Sequence, residues 1–287
     1  MSASASPPAP AYLRPRSWEE ALAARAAEPG YLVLAGGTDA MVNANHRPPP
    51  AGIIDLWRLP GAGDISLDEA AGLLTIGAGA TWLEVQRHPA VLRHASTLAA
   101  AAREIGALQI QARGTIGGNV ANSSPVGDSL PVLLTLEAEL ELRSVRGARR
   151  VPYHEFCTGY RKTQLGADEL LAAVIVPVPA VGTHLFWRKV GTRRAQSISK
   201  VMAAAAIQLE HGRVRRAVVA FGAVADRPVR LAAVEAAVVG LAPTAAAEAA
   251  RAAVAGAISP ISDIRSTRDY RLQVAENLAA RMFAELA

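Results

Sequence analysis

The segment from Arg113 to Leu134, R-G-T-I-G-G-N-V-A-N-S-S-P-V-G-D-S-L-P-V-L-L, constrains the fold of this chain more than any other. Gly114, Gly117 and Gly118 fall within five residues, and Asn119, Asn122, Ser123, Ser124, Pro125, Gly127 and Asp128 follow. That density of glycine is expected to exclude a helix, and the prolines to exclude a central strand. The apolar run Leu130 to Leu136 then resumes buried structure. The expectation is a long polar loop between core elements with its backbone exposed. Glycines let N–H groups approach an anion closely, and a turn of successive N–H groups can cradle phosphate. The segment reads as a holder for the pyrophosphate of a dinucleotide. Taken alone, an ordinary surface loop with tight turns accounts for it as well.

A second segment adds weight to the anion reading. Tyr31 to Leu34 is expected to form a short buried strand, and Ala35-Gly36-Gly37-Thr38-Asp39 follows it directly. This loop again offers uncovered N–H groups and a hydroxyl. Neither loop is a Rossmann fingerprint, which needs G-x-G-x-x-G opening a helix within a βαβ unit. Two such loops in one chain suggest a single ligand gripped from two sides.

The motifs V-L-A-G-G-T-D-A (Val33 to Ala40) and T-I-G-G-N-x-A-x-x-S-P-x-G-D-x-x-P-x-L (Thr115 to Leu133) resemble the FAD-binding subunit of molybdenum hydroxylases. That group includes xanthine dehydrogenase and carbon monoxide dehydrogenase. G-Y-R-K-T (Gly159 to Thr163), D-E-L-L-A-A-V-I-V-P (Asp168 to Pro177), R-K-V-G-T-R-R-A-Q-S-I-S-K-V (Arg188 to Val201) and D-Y-R-L-Q-V-A (Asp269 to Ala275) extend the likeness over nearly the whole chain, nearer the xanthine dehydrogenase branch.

The resemblance implies an α+β fold. Residues 1–180 would form a FAD-binding domain of the PCMH, vanillyl-alcohol-oxidase-like type with two α+β subdomains, and residues 181–287 a C-terminal domain like that of carbon monoxide dehydrogenase flavoproteins. It implies that FAD is held by Val33, Leu34, Ala35, Gly36, Gly37, Thr38, Asp39 and Ala40, and by Thr115, Ile116, Gly117, Gly118 and Asn119. Ser123, Asp128, Ile105, Leu171 and Lys189 match further cofactor-lining positions. Asp128 would repel phosphate, so ribityl hydroxyls or a backbone turn suit it better. Lys189 could set a cation beside the flavin and stabilise its reduced anion, although a lysine on a strand is ordinarily just solvated. Lys200 is a weaker candidate of the same kind, and Ile105 and Leu171 read from pattern alone as core residues. The resemblance further implies a molybdenum-cofactor subunit and a [2Fe–2S] subunit as partners, with NAD⁺, oxygen or another acceptor taking the electrons. No side chain need act as acid or base, so no catalytic residue is expected.

Composition excludes other classes. Hydrophobic residues make up 51% and charged residues 19% of the 287, which suits a packed core and not disorder. The formal charge of +5 is compatible with nucleic acid, an anionic cofactor or an acidic partner. Arginines cluster at Arg146 to Arg150, Arg188 to Arg194 and Arg213 to Arg216, but aromatics are only 5% and do not interleave with them, which argues against base stacking. The lone cysteine, Cys157, precludes an internal disulfide and an iron–sulfur cluster within this chain, and reads as a small buried residue in a reducing compartment. The six histidines show no metal-ligand spacing, and no G-x-S-x-G elbow is present. Met1 to Pro10 lacks the charged and apolar regions of a signal peptide, and no apolar span suits a membrane, so a soluble cytoplasmic protein is expected.

Local signals place the elements. Ser17–Glu20 and Thr81–Glu84 read as capping boxes opening helices, the first stopped by Pro29-Gly30. Strands are expected at Gly52–Leu56, Leu73–Ala78, Ala138–Ser144 and Leu171–Val178, and an alanine-rich helix at Ser96–Gly106. Pro131–Leu136 is equally helix or strand. Beyond Val181-Gly182 the strands Phe186–Val190, Val201–Leu209 and Val214–Ala220, with a turn at His211-Gly212, lead into an alanine-rich helical tail. Two rival readings stand beside the flavoprotein: a stand-alone flavin oxidase with its own substrate, and a basic scaffold or nucleic-acid module with no cofactor.

Overall fold

The computed structural model describes residues 9–42, 44–46, 48–193 and 195–287. The reading of the first residues as lacking a leader falls mostly outside them, as does Arg194 of the central arginine cluster. The chain begins with a three-stranded parallel sheet in the order Ala11–Leu13, Gly52–Asp55, Leu32–Leu34. Between the two edge strands runs the helix Trp18–Ala27. The Ser17 hydroxyl accepts the Glu20 N–H at 3.2 Å, and the Glu20 carboxylate reaches back to the Arg16 N–H at 2.8 Å, one residue earlier than a capping box. Leu32 is 38% exposed, so this strand is not the buried one expected. It lies at the sheet's edge, and only one of its faces packs on the small core around Ala21, Leu59 and Leu170.

The second unit is a five-stranded antiparallel sheet in the order Ile65–Asp68, Leu73–Gly77, Leu170–Pro177, Glu139–Ser144, Gly147–Pro152. Leu170–Pro177 is its central strand and is buried on both faces, which is why it reads as an uninterrupted apolar run. Its neighbour Glu139–Ser144 alternates: Leu140 and Leu142 are buried, and Glu141 pairs with Arg143 outside at 2.5 Å. Helices Ser96–Glu104 and Leu130–Thr135 pack on the same core, which settles the ambiguous Pro131–Leu136 as helix. Pro131 sits in the first turn, where a missing N–H costs nothing.

The glycine-dense segment is not a continuous loop. Ile116–Asn122 is a helix, opened by Thr115, whose hydroxyl accepts the Gly118 N–H at 3.0 Å, and closed by Ser123 in the left-handed region at φ 46°. Glycine lowers helix stability by roughly 1 kcal/mol per residue. Packing demands it here: a Cβ on Gly117 would stand 2.5 Å from the Ala78 Cβ and 2.6 Å from its carbonyl oxygen. The pattern rule failed because Gly117 admits a neighbouring backbone and does not serve a turn.

The C-terminal unit is a four-stranded antiparallel sheet, His184–Val190, Val201–Glu210, Arg213–Gly222 and Val229–Arg230, followed by helices Ala232–Val238, Pro243–Val254 and Arg268–Ala284. His211 and Gly212 both have positive φ, 48° and 70°, as the two-residue hairpin turn requires. Phe186, Phe221, Val201, Met282 and Phe283 form its core. At its edge Arg271, 2% exposed, donates to the carbonyls of Lys200 at 2.6 Å and Ala223 at 3.0 Å and to Asp263 at 2.8 Å. Burial works to raise the Asp263 carboxyl, but the Arg265 and Ser266 N–H groups and the Arg271 guanidinium outweigh it and take the pKa down to about 2. A carboxylate held below its unfolded value stabilises the fold above that value, and the contribution disappears as pH falls from about 4 to about 2. Asp263→Asn should therefore lower the melting temperature at neutral pH and flatten its fall between pH 4 and pH 2, followed by circular dichroism. A fall as steep as wild type over that interval would show that Asp263 carries none of the acid sensitivity.

Candidate functional site

The strands of the parallel sheet all point their C-terminal ends one way, and the loop Ala35–Ala40 leaves from that end. Ligands in open parallel sheets sit outside the carboxyl ends of the strands. Val33 and Leu34 are the last ladder residues, Val33 packing on the small core. The Met41 N–H closes the loop by donating to the Gly37 carbonyl at 3.0 Å, with Gly37 at φ 74°. The N–H groups of Gly36, Gly37, Thr38 and Asp39 donate to no acceptor among the described residues. These are unpaired donors in a half-exposed loop, together with the Thr38 hydroxyl.

The two glycine segments meet. A Cβ on Gly36 would overlap the Arg113 carbonyl, and one on Gly114 would stand 3.1 Å from the Thr38 hydroxyl oxygen. From Ile116 to Asn119, however, the amides of the second segment are already taken. The Ile116 N–H donates to Ala80 at 3.0 Å, Gly117 to Ala78 at 2.9 Å, Gly118 to the Thr115 hydroxyl at 3.0 Å and Asn119 to the Thr115 carbonyl at 3.1 Å. The expectation that both segments offer free main-chain donors is thus narrowed: the first offers a run of them, whereas in Thr115–Asn119 only the Thr115 N–H meets no acceptor among the described residues and the next two amides are fixed to the Ala78–Ala80 turn. Beyond the Thr115 N–H, what the second segment offers is an absence of side chain. Gly118 is exposed, and a Cβ there would meet only the Thr115 hydroxyl. Asn119 accepts from Ser129 at 2.8 Å, while Ile116 is fully buried core.

Asp128 and Lys189 are brought together as an ion pair, a pairing that the sequence reading of each residue did not include. The Lys189 ammonium donates to Asp128 at 2.7 Å and to the Glu104 carbonyl at 3.1 Å, with side chains 4% and 10% exposed for Lys189 and Asp128. The Ser199 hydroxyl gives Asp128 a further bond at 2.6 Å, and the Trp187 indole donates to the Asp128 carbonyl at 3.3 Å. Burial pushes the Asp128 carboxyl up, against Lys189 and Ser199, which hold it down. The pair joins the C-terminal sheet to the segment after the Ile116–Asn122 helix. Ile105, half-buried, ends the helix that supplies Glu104. Leu171 lies at the irregularity of the central strand, beside Ala172, whose carbonyl accepts the Ala78 N–H at 2.8 Å.

Ser123 turns inward and lies 2.9 Å from the Cys157 sulfur, which is 3.6 Å from the Tyr153 hydroxyl. Cys157 is only half-buried, less than expected. Lys200 lies over the Tyr270 ring at 4.9 Å. Sequence reasoning singled out neither Ser199 nor Trp187 and left Arg161 without a role. Arg161 donates to Asn122 at 3.1 Å and stands 3.7 Å from Asp39, tying the two segments across their rim. Its place within G-Y-R-K-T was the only signal. Members of the arginine clusters pair with carboxylates: Arg146 with Asp168, Arg149 with Glu169, Arg188 with Glu285 and Arg216 with Glu137. Among the described residues no His, Cys, Asp and Glu group could hold a metal ion.

A donor-rich loop against a side-chain-free helix face fits a diphosphate-bearing cofactor, and comparison with known proteins agrees. The family described as FAD binding domain in molybdopterin dehydrogenase matches residues 5–179, and that described as CO dehydrogenase flavoprotein C-terminal domain matches residues 187–286. The chain is 32% identical, over 96% of its length and 94% of the relative, to the putative xanthine dehydrogenase FAD-binding subunit of Escherichia coli (strain K12). It is 31% identical to the nicotine 6-hydroxylase medium subunit of Paenarthrobacter nicotinovorans, over 97% of each chain. It superposes with a TM-score of 0.90 and 29% identity, covering 96% of both, on a chain of the carbon monoxide dehydrogenase of Hydrogenophaga pseudoflava that lacks the Mo-pyranopterin moiety. The chain therefore belongs to the FAD-binding subunits of the molybdenum hydroxylase family, with the α+β fold of that subunit and FAD as its cofactor.

Proposed function

We propose that this chain is the electron-transfer subunit of a xanthine dehydrogenase-like complex, receiving electrons from a [2Fe–2S] partner subunit and delivering them to NAD⁺ or another acceptor. Substrate oxidation then belongs to a molybdenum-cofactor subunit. The observation that carries the reading is the run of unpaired N–H groups at Gly36–Asp39, pressed against Arg113 and Gly114. FAD, when bound, supplies a centre that exchanges one electron or two, which suits a junction between one-electron clusters and a two-electron acceptor. The protein's own residues bind and orient it. The Gly36–Asp39 amides and the Thr38 hydroxyl hold the diphosphate, and the bare face at Gly118 leaves it room. Ile105 and Leu171 wall the site with apolar surface. Asp128 and Lys189 act as a neutral pair that fixes the wall, so the flavin's charge is not balanced by an unpaired lysine. The domain boundary falls near residue 180, and names such as medium subunit and FAD-binding subunit among the relatives support the partners. The single Cys157 suits a reducing, cytoplasmic setting.

Purification of the chain from its native host at low salt tests the assignment, because the complex predicts molybdenum and iron in fixed ratio to FAD in one peak. A lone yellow protein that oxidises a small molecule would support the stand-alone oxidase instead. The role of the ion pair has its own check. Lys189→Met leaves a buried carboxylate without its cation and should cost about 3–5 kcal/mol in urea unfolding. Adding Asp128→Asn to it should recover much of that loss. A single variant as stable as wild type would mean that Lys189 is free for the flavin after all.

A further inference from the structure

Arg113 carries a charge that no carboxylate among the described residues neutralises. Its guanidinium lies 3.8 Å from the centroid of the Trp57 ring, and it makes no hydrogen bond or ion pair with any described residue. Trp57 is fixed beneath it. The Trp57 N–H donates to Asp55 at 2.9 Å, and the other oxygen of Asp55 accepts from the Tyr12 hydroxyl. Arg58, at φ 62°, also lies by the indole at 5.1 Å, but it turns to Glu84 at 3.7 Å.

The position matters as much as the freedom. The Arg113 carbonyl abuts Gly36, so the backbone of this residue touches the donor loop while its side chain crosses Trp57. Trp57 and Gly36 leave the parallel sheet at the same end, each two residues beyond the paired positions Asp55 and Leu34. The one carboxylate in the loop, Asp39, stands 3.7 Å from Arg161, which offsets its repulsion of an anion. What remains at this end of the sheet is a guanidinium charge over the Trp57 ring, on a residue whose carbonyl touches the loop of unpaired amides.

We infer that the Arg113 guanidinium binds the diphosphate of FAD, with Trp57 as the platform that holds it ready. A guanidinium presents parallel N–H donors that match two oxygens of a phosphate, and stacking on indole limits its rotation without using any of them. Lysine in this position would keep the charge and lose the orientation. The inference rests on the FAD site proposed above and adds a charged ligand to a cradle otherwise made of neutral donors.

Apoprotein titrated with FAD and with riboflavin, which lacks phosphate, separates the possibilities. Arg113→Gln should weaken FAD about ten- to a hundredfold, the loss of a charged hydrogen bond, and leave riboflavin unchanged. It should also make FAD affinity less sensitive to salt, which a purely structural role would not do. Arg113→Lys should recover part of the affinity. Trp57→Leu should give a smaller loss with the salt sensitivity retained. FAD binding by Arg113→Gln equal to wild type in affinity and salt dependence overturns the inference while the site stands. Equal loss for FAD and riboflavin overturns it too, by making Arg113 a structural residue. Wild-type protein that binds no FAD refutes the site itself. Should Arg113→Gln not fold, Trp57→Leu decides by the same comparison: a loss confined to FAD supports the inference, and a shared loss or none contradicts it.

Discussion

The contact between Gly36 and the Arg113 carbonyl is the constraint on which the site depends. No side chain fits between these backbones, so two segments far apart in sequence touch main chain to main chain. The same device recurs one layer deeper, where Gly117 meets Ala78. Together these contacts clamp the Ile116–Asn122 helix between the parallel sheet and the antiparallel one. The N–H groups of Gly36–Asp39 meet no acceptor among the described residues, while the N–H groups of Ile116 and Gly117 are spent on the carbonyls of Ala80 and Ala78. A cradle of unpaired amides is costly to keep in a buried place, and here it lies in a half-exposed loop that a ligand's anion can complete.

A second tie operates between the C-terminal unit and the rest. Arg271 fixes the carbonyl of Lys200, the adjacent Ser199 bonds Asp128, and Asp128 holds Lys189 of the first C-terminal strand. The Ala223 N–H meets the Pro125 carbonyl at 2.8 Å in the same seam. The segment that follows the cofactor helix is therefore shaped from both sides. Buried ion pairs contribute little net stability but penalise alternatives that separate their partners, which suits a seam that must set a wall in one place.

Much of this was legible in the sequence, and the failures have physical causes. The alternation of Glu139–Ser144, the apolar run of Leu170–Pro177 and the turn at His211-Gly212 all declared themselves through periodicity or backbone preference. The Ile116–Asn122 helix was hidden because glycine propensity describes isolated helices, and close packing on Ala78 overrides it. The short strands Ala11–Leu13 and Ile65–Asp68 were hidden because three or four residues carry too little pattern. The loop residues Gly36 to Thr38 were found from composition, and the resemblance to a known family added Lys189 and Asp128. No local signal told that these two would neutralise each other, because they are separated by most of a domain and only the fold brings them within 2.7 Å. Arg113 was overlooked for a similar reason: its partner is the ring of Trp57, distant in sequence and brought to it only by the fold.

The claim that the run of free amides lies in the first segment, and that Ile116 and Gly117 offer none, can be measured directly by residue-resolved hydrogen exchange on the apoprotein and its FAD complex. The account predicts that the amides of Gly36 to Asp39 exchange fast without cofactor and slow markedly on binding, whereas those of Ile116 and Gly117 are protected in both states. Protection appearing at Ile116 and Gly117 only with FAD, and no change at Gly36 to Asp39, would contradict it.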